Sequence, residues 1–197
     1  STDRTVSVAA RAGCIIRNIP KDDVTFGRSL NLGCSAANGS VFVFISAHCI
    51  PVDSDWLKKM IQPLEMGEAH YCYGRQVGHA MTRFSEKQLF AKYFPASSED
   101  AQGGIFCNNA NAAILRNVWA NAKFDEELTG LEDMELASRL LKAGLKVKYV
   151  PDAPVFHIHE ERWTKIRTRY EREAIALQTI MPEVHIHFTD FLRYFLS

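Results

Sequence analysis

The sequence predicts an α/β protein in which a mostly parallel central sheet is flanked by helices. Two helix-then-strand units follow one another near the start of the chain, and such units are typical of parallel sheets covered by helices. The segment Val41 to Ile45 is apolar at every position, which is typical of a strand buried on both faces. The 197 residues contain no evident linker, so we expect one domain over residues 1–197.

Hydrophobic spacing divides the first part of the chain into short elements. We predict strands at Cys14 to Ile19, Val41 to Ile45 and His70 to Val77, and helices at Thr5 to Ala12, Gly27 to Ala37 and Ser54 to Leu64. The last of these helices would be capped by Asp53 and would turn inward Trp56, Leu57, Met60 and Ile61. A doubly wound sheet should open with a strand, whereas this chain opens with a helix.

The second part of the chain is divided in the same way. We predict helices at Phe84 to Phe94, Leu131 to Ala143 and Glu160 to Ile180, strands at Ala112 to Leu115 and Val147 to Val150, and a loop at Ser97 to Gly104. Pro151 is expected to end the second of these strands. The last helix would carry along one face Trp163, Ile166, Tyr170 and Leu177.

Composition argues against several classes of protein. The 23 basic residues balance 23 acidic ones, whereas a nucleic-acid binder normally has a basic excess. Five cysteines without a Cys-x-x-Cys pair do not form the pattern of a disulfide framework or a zinc knuckle, so we expect a reducing, cytosolic compartment. No apolar run reaches the length of a membrane span, and the first residues do not have the pattern of a signal peptide.

Polar residues follow directly after the Val41 to Ile45 strand. The carboxyl ends of parallel strands form the edge where open α/β folds bind ligands, so Ser46 and His48 are placed to contact one. His48 could bind a metal or touch a phosphate, or it could simply hydrogen-bond within the turn. Position alone does not separate these interpretations.

Two adjacent carboxylates, Glu132 and Asp133, lie at the predicted start of a helix. A general base needs such a carboxylate held beside a loop. Acidic residues are also favoured at a helix N-terminus whatever their role, because the helix dipole stabilises negative charge there and would keep Asp133 ionised at neutral pH. A purely capping role, shared with Thr129, is the alternative to catalysis.

Two histidines, His157 and His159, follow the predicted Val147 to Val150 strand. In an extended segment they would point the same way, which suits the binding of a divalent metal by imidazoles. The alternative is a surface His-x-His, and the sequence contains one in His185 and His187, which lie near the C-terminus beside no catalytic candidate. The pattern therefore carries little weight by itself.

Taken in order along the chain, these segments resemble family 2 glycosyltransferases of the GT-A type. Five segments carry the resemblance: residues 1–5, similar to the end of the family's Asp-Asp-Gly-Ser-Thr-Asp-Gly-Thr motif; the helix with Arg28 and Asn31 before Ala36-Ala37-Asn38-Gly39; Val41 to Pro51 with Trp56-Leu57; Gly130 to Asp133; and Val150-Pro151 with His157 downstream. The pattern Ser46-x-His48-Cys49-x-Pro51 is similar to a rhamnosyltransferase-like branch of the family.

The resemblance implies transfer of a sugar, with inversion, from a nucleotide-diphosphate donor to a saccharide or lipid-linked acceptor. It implies a divalent metal, Mn²⁺ or Mg²⁺, on the diphosphate, with metal ligands among His48, His157 and His159. It implies Asp133 as the catalytic base with Glu132 beside it, and donor contacts from Asp3, Arg28, Asn31, Ser46 and His48. A cytoplasmic enzyme is expected, with association with the inner face of a membrane and oligomer formation left open.

Two features depart from the family pattern. The family's Asp-x-Asp metal motif reads Ser46 and His48 here, and exchanging two carboxylates for a hydroxyl and an imidazole shifts the preference toward softer ions such as Mn²⁺. The family's first strands and nucleotide-base loop would precede Ser1, so the resemblance is to an N-terminally incomplete domain. We therefore expect residues 1–197 alone to bind free nucleotide weakly and to expose an apolar sheet edge near the N-terminus.

Two other functions compete with transfer. A catalytically silent sugar- or partner-binding domain of the same fold would account for the absent Asp-x-Asp motif. A metal-dependent hydrolase using His48, His157 and His159 is feasible chemistry, but it does not explain why five segments occur in the family's order.

Overall fold

The structure, a computed structural model, describes residues 3–80, 82–98, 104–158, 163–185 and 187–196. Within these residues the strands are β1 (Val41–Ile45), β2 (Cys49–Pro51), β3 (Tyr71–Val77), β4 (Asn111–Leu115) and β5 (Val147–His157). The helices are α1 (Thr5–Arg11), α2 (Phe26–Ala36), α3 (Trp56–Glu65), α4 (Phe84–Tyr93), α5 (Arg116–Asn121), α6 (Glu132–Lys142), α7 (Trp163–Ile180) and α8 (Phe188–Leu196), and a short 3-10 turn spans Lys21–Asp23.

The five strands form one mixed sheet in the order β1-β4-β3-β5-β2. Only β3 and β5 pair in parallel, whereas β1 with β4, β3 with β4 and β2 with β5 are antiparallel. The expectation of a mostly parallel sheet is therefore wrong. A continuous apolar run reports that a strand is buried, and it does not report in which direction the neighbouring strand runs.

The first predicted strand, Cys14 to Ile19, has no regular structure, and Ile15 is 67% exposed. A strand needs a neighbour to satisfy its backbone N–H and C=O groups, and no described strand pairs with this segment. The strand β1 forms as predicted but lies at the edge of the described sheet, with Ile45 exposed. The expectation that β1 is buried on both faces is wrong, because Phe42 is its one buried residue and the others are partly buried or exposed.

Helices cover both faces of the sheet, as predicted. Alternate residues of β3 point to opposite faces, so that Tyr71 and Tyr73 join one apolar cluster and Cys72 joins the other. The first cluster packs beneath α2, α5 and α6, with buried members that include Cys34, Trp119, Leu136 and Leu140. The second packs beneath α3, with Met60 and Leu64, while the predicted inward residue Leu57 is 48% exposed.

The strand β5 runs through Pro151 and Pro154 as far as His157. The prediction that Pro151 ends this strand is wrong, because the prolines fall where the β3–β5 register is irregular. Gly74 pairs with Val150 but Gln76 already pairs with Val155, so β5 accommodates extra residues in a bulge, where proline is tolerated. His157 consequently lies within a strand, opposite Cys49 of β2.

The last two helices expose much of their apolar surface. Trp163 and Tyr170 of α7 are exposed, and α8 exposes Phe188, Phe191 and Phe195. Neither α8 nor the short elements α5 and β2 were predicted. Among the described residues, no helix combines the length and the apolar character that crossing a membrane requires.

Gly27 and Gly33 of the same helix provide a matched test of the packing of α2. A Cβ on Gly27 would lie 1.9 Å from the Asp125 carbonyl oxygen, whereas a Cβ on Gly33 meets nothing within 4 Å. Because backbone has to move, we expect Gly27→Ala to lower the free energy of unfolding by about 2 kcal/mol or more. Gly33→Ala should raise it by about 0.5–1 kcal/mol, since alanine is the better helix former. Urea denaturation of both variants measures this, and equal effects would show that α2 is not held against Asp125.

Candidate functional site

Three segments meet at one edge of the sheet. The turn after β1 contacts the segment before β4, because the Ser46 backbone N–H donates to the Ala110 carbonyl oxygen at 3.0 Å. The same turn contacts the end of β5, because the Ile158 N–H donates to the His48 carbonyl oxygen at 3.1 Å. Ser46 and His48 therefore lie next to His157, although they are separated from it by more than a hundred residues of chain.

The two predicted imidazoles lie together. The rings of His48 and His157 stack with centroids 4.7 Å apart and planes 19° apart. His48 is exposed, whereas His157 is buried and also stacks on Phe90 at 5.6 Å. His157 is therefore a packed residue of β5 and does not lie in a loop after the strand. The third predicted metal residue, His159, lies outside the described residues.

A buried glutamine holds His157. The Nδ1 atom of His157 lies 2.5 Å from Oε1 of Gln76, and the Gln76 side chain is only 2% exposed. On its other side, Gln76 donates from Nε2 to Oδ1 of Asn108 at 2.8 Å. This row of three side chains links β5, β3 and the segment before β4.

The two acidic residues Glu132 and Asp133 lie at the start of α6. Leu131 adopts a left-handed conformation with φ 57° just before the helix and places both Glu132 and Asp133 in buried positions. Asp133 accepts hydrogen bonds from the backbone N–H groups of Asn109 (2.8 Å) and Met134 (2.9 Å). Since no side chain caps α6 and Thr129 instead donates to the Arg172 carbonyl oxygen, the sharing of a cap with Thr129 is not seen.

Burial controls the charge of this pair. Loss of hydration, followed by repulsion from Glu132, raises the pKa of Asp133 to about 8 despite its backbone hydrogen bonds. Burial also raises the pKa of Glu132, and the Asn109 amide and the positive charge of Arg172 offset part of that rise. The expectation that the helix N-terminus keeps Asp133 ionised at neutral pH is therefore wrong for the ligand-free protein, because desolvation outweighs the dipole.

The two halves of the site share the turn of Asn108 and Asn109. Asn108 is the last link of the row that reaches His157, while Asn109 contacts both acids: its N–H donates to Asp133, and its Nδ2 lies 3.5 Å from Glu132 Oε1. Sequence reasoning missed this turn and the role of Gln76. The available signal was the polar run Asn108-Asn109-Ala110-Asn111 directly before a buried apolar strand.

Asn111 locks the same edge from within. It is fully buried, accepts a hydrogen bond from the Trp56 indole at 2.9 Å and donates to the carbonyl oxygens of Arg75 and Ala153. Gly74 leaves the room this requires, because a Cβ there would lie 2.4 Å from the Asn111 amide nitrogen. One asparagine thus joins β4, β3, β5 and α3 beneath the site.

The other predicted donor residues have partners elsewhere. Asn31 uses its amide within the fold: Nδ2 donates to the Phe124 carbonyl oxygen and to Glu126, and Oδ1 accepts from the Trp119 indole. Arg28 pairs with Glu126 at 3.1 Å. Asp3 is exposed and accepts from the Thr5 backbone at the start of α1. Donor binding by Asp3, Arg28 and Asn31 stays a prediction. The contacts of Arg28 and Asn31 hold α2 against Phe124 and Glu126, and the contact of Asp3 is local to the start of α1.

The imidazoles can be tested for fit to a divalent metal. Within the described residues no group of three His, Cys, Asp or Glu side chains is arranged to hold an ion. His157 fits as a single ligand, since its Nδ1 faces Gln76 Oε1 and metal-bound histidines typically donate their second nitrogen to such an acceptor. His48 stacks nearly parallel to His157, so the in-plane lone pairs of the two rings lie in separate planes and do not converge on one ion.

Comparison with known proteins gives a consistent result. Residues 1–121, more than half of the chain, match the family model described as Glycosyl transferase family 2. The O-antigen chain rhamnosyltransferase RfbN of Salmonella typhimurium is 28% identical over 173 residues, covering 81% of this chain and 54% of that protein. WbaN of Salmonella anatum, also an O-antigen chain rhamnosyltransferase, is 26% identical with the same coverage. The chain thus spans about half the length of these relatives.

Solved structures show the fold. The mannosyltransferase PcManGT from Pyrobaculum calidifontis, in complex with GDP-Man and Mn²⁺, matches with a TM-score of 0.69 at 14% identity, covering 97% of this chain and 55% of that one. Glucosyl-3-phosphoglycerate synthase from Mycobacterium tuberculosis, in complex with Mn²⁺, UDP and glucosyl-3-phosphoglycerate, matches with a TM-score of 0.58 at 19% identity, covering 91% of this chain and 65% of that one. The expected GT-A fold and the resemblance to rhamnosyltransferases are thereby confirmed.

The buried acid pair predicts an unusual dependence of stability on pH. Folded Asp133 keeps its proton up to about pH 8, whereas an aspartic acid in an unfolded chain loses it near about pH 4. The folded state then binds more protons in between, so the free energy of unfolding falls as pH rises through this window. Asp133→Asn should show a smaller fall, although it loses one backbone hydrogen bond at every pH.

Urea denaturation across that pH window measures the difference between the two proteins. Glu135→Gln is the matched control, because Glu135 lies in the same first turn but pairs with Arg139 at 2.6 Å. Identical pH profiles for wild type and Asp133→Asn would show that Asp133 is ionised when folded.

Proposed function

Because the chain belongs to glycosyl transferase family 2, we propose that it contributes the catalytic centre of an enzyme that transfers a sugar, with inversion, from a nucleotide-diphosphate donor to a saccharide or lipid-linked acceptor. The observation that carries the proposal is the single turn, Asn108 and Asn109, that contacts both a buried carboxylate pair and the row leading to a buried imidazole. Inverting transfer needs a base on one side of the anomeric carbon and stabilisation of the diphosphate on the other.

Asp133 is assigned the role of base. As the acceptor oxygen bonds to the anomeric carbon, the bond from that carbon to the diphosphate oxygen breaks, its electron pair leaves with the diphosphate, and the acceptor proton passes to Asp133. A carboxylate is an effective base when its pKa lies near the working pH, and burial beside Glu132 raises the pKa of Asp133 to about 8. As pH rises toward about 8, a larger fraction of Asp133 is ionised and kcat/KM should increase.

His157 is assigned to the diphosphate side. A bound Mn²⁺ or Mg²⁺ ion would neutralise charge that accumulates on the leaving diphosphate, and His157 is the described residue that fits as its ligand. The exposed ring of His48 and the Ser46 hydroxyl are placed at the same edge, where they would contact phosphate oxygens. The Mn²⁺ in the complexes of two proteins with the same fold supports this assignment.

The acceptor is assigned from the relatives. RfbN and WbaN are both described as O-antigen chain rhamnosyltransferases, which supports a growing bacterial surface polysaccharide as acceptor. A catalytically silent binding domain of the same fold remains the competing function. It would bind the donor without turning it over.

The base is tested by Asp133→Asn in the full-length protein. Removing a general base should lower kcat by a factor of about 100 or more, while the Glu135→Gln control should keep wild-type turnover. Release of nucleoside diphosphate from the donor, measured with acceptor present, gives the rate. Normal turnover by Asp133→Asn would assign Asp133 a structural role, and absence of turnover in the wild type with donor binding retained would favour the silent domain.

The imidazole is tested by His157→Gln against His185→Gln. His185 is an exposed histidine of the second His-x-His segment and serves as the matched control. Electron paramagnetic resonance of Mn²⁺, titrated in the presence of nucleoside diphosphate, should show affinity weakened at least about tenfold in His157→Gln. Circular dichroism melting checks that the variant is folded, and unchanged Mn²⁺ affinity in a folded His157→Gln protein would rule out His157 as a ligand.

A further inference from the structure

We propose that Gln76 is a positioning residue that fixes His157 in the tautomer with hydrogen on Nδ1 and the lone pair on Nε2. Its use in catalysis rests on the proposed function, whereas the tautomer itself rests only on the hydrogen-bond row from Ala110 to His157. Each step of that row follows from the one before.

The row starts at a group whose identity is certain. The backbone N–H of Ala110 can only donate, and it lies 3.0 Å from one side-chain atom of Asn108, which must therefore be the oxygen Oδ1. This removes the usual ambiguity between the oxygen and the nitrogen of an asparagine side chain.

The next two steps transmit that assignment. Gln76 approaches Oδ1 of Asn108 at 2.8 Å, so the Gln76 atom concerned must be the donating Nε2. The other end of the Gln76 amide is then Oε1, which can only accept. Because Oε1 lies 2.5 Å from His157 Nδ1, that nitrogen must carry hydrogen, and in the neutral ring Nε2 carries the lone pair.

Burial makes this choice costly to reverse. The Gln76 side chain is 2% exposed and His157 is 6% exposed, so water cannot readily replace a partner that turns away. Inverting the Gln76 amide would set its oxygen against Asn108 Oδ1, and the two facing acceptors would form a buried mismatch that a change of histidine tautomer does not relieve. The fold therefore selects one tautomer before any ligand arrives.

The selected tautomer suits the assigned role. A histidine binds a metal through the nitrogen that has a lone pair, and its second nitrogen commonly donates to an oxygen that fixes the ring. Gln76 supplies that oxygen, and the packing of His157 against Phe90 and His48 limits rotation of the ring. The ring is therefore oriented before a ligand arrives, although its Nε2 atom is buried in the ligand-free protein and a ligand reaches it only after a local movement.

His70 provides an internal reference with the opposite assignment. Its Nδ1 accepts the backbone N–H of Lys146 at 3.0 Å, so its neutral ring must carry hydrogen on Nε2. The two histidines lie in the same molecule and can be compared in one spectrum.

Long-range ¹H–¹⁵N correlation spectra of the metal-free protein test the tautomer, recorded at about pH 8.5, where an ordinary imidazole is neutral. We expect hydrogen on Nδ1 for His157 and on Nε2 for His70. Gln76→Met removes the acceptor and should shift His157 toward the Nε2–H form. A wild-type His157 with hydrogen on Nε2 overturns the inference, as does a folded Gln76→Met protein with an unchanged spectrum.

Mn²⁺ affinity then separates the tautomer from its use. Loss of an oxygen that orients a ligating histidine typically weakens metal binding about 10–100-fold, so Gln76→Met in the full-length protein should bind Mn²⁺ more weakly in the presence of nucleoside diphosphate, and the His185→Gln control should not. If the spectra show the expected tautomers but the full-length wild-type protein binds no Mn²⁺, the positioning of His157 by Gln76 is supported and the metal role in the proposed function is contradicted.

Discussion

The backbone between Asn108 and Ala110 has to satisfy partners in two directions at once. The Asn109 N–H is used by Asp133, and the Ala110 N–H is used by the Asn108 side chain, which in turn orients Gln76. Tyr71, fully buried in β3, donates its hydroxyl to Asn109 Oδ1 at 2.5 Å and holds the turn from below. Buried backbone groups are rarely left without partners, so a shift that serves one side of the site would break the other. The spacing between the acids and the imidazole is thereby fixed by three consecutive residues.

Two adjacent buried carboxylates would destabilise the folded state if both were ionised, and protonation relieves this effect. Ionising both in a buried position would require removing two like charges from water at close range. The ligand-free protein avoids this by keeping a proton on Asp133, since burial and repulsion from Glu132 raise its pKa to about 8. Arg172 of α7 contributes the positive charge that opposes the rise in the pKa of Glu132. The same burial that weakens the folded state as pH rises gives Asp133 its strength as a proton acceptor.

Much of this arrangement could be predicted from the sequence. The α6 helix, the β3 strand and the meeting of His48 with His157 follow from hydrophobic periodicity and from the position of polar residues after strands. Strand direction could not be predicted, because the apolar run of β1 is equally compatible with a parallel or an antiparallel neighbour. The end of β5 was misplaced because a proline that usually ends a strand is tolerated in its bulge.

The residues that organise the site are the ones that the sequence pattern marks least. Gln76, Asn108 and Asn109 are ordinary polar residues in the sequence, and their importance comes from partners between 24 and 81 residues away. Local patterns do not encode such pairings. By contrast, Arg28 and Asn31 match a family motif and proved to have close partners within the fold, which shows that a motif match can mark a structural contact as readily as a ligand contact.

The central claim is that one turn holds a proton acceptor and a diphosphate site at the same edge of the sheet. A crystal structure of the full-length protein with nucleoside diphosphate and Mn²⁺ tests it most directly. The account predicts an ion bonded to Nε2 of His157, with Gln76 still on Nδ1 and the Asp133 carboxyl group facing the space beside the diphosphate where the sugar would lie. A diphosphate bound away from β5 and the Ser46 to His48 turn, with His157 still packed and not in contact with it, would contradict the claim.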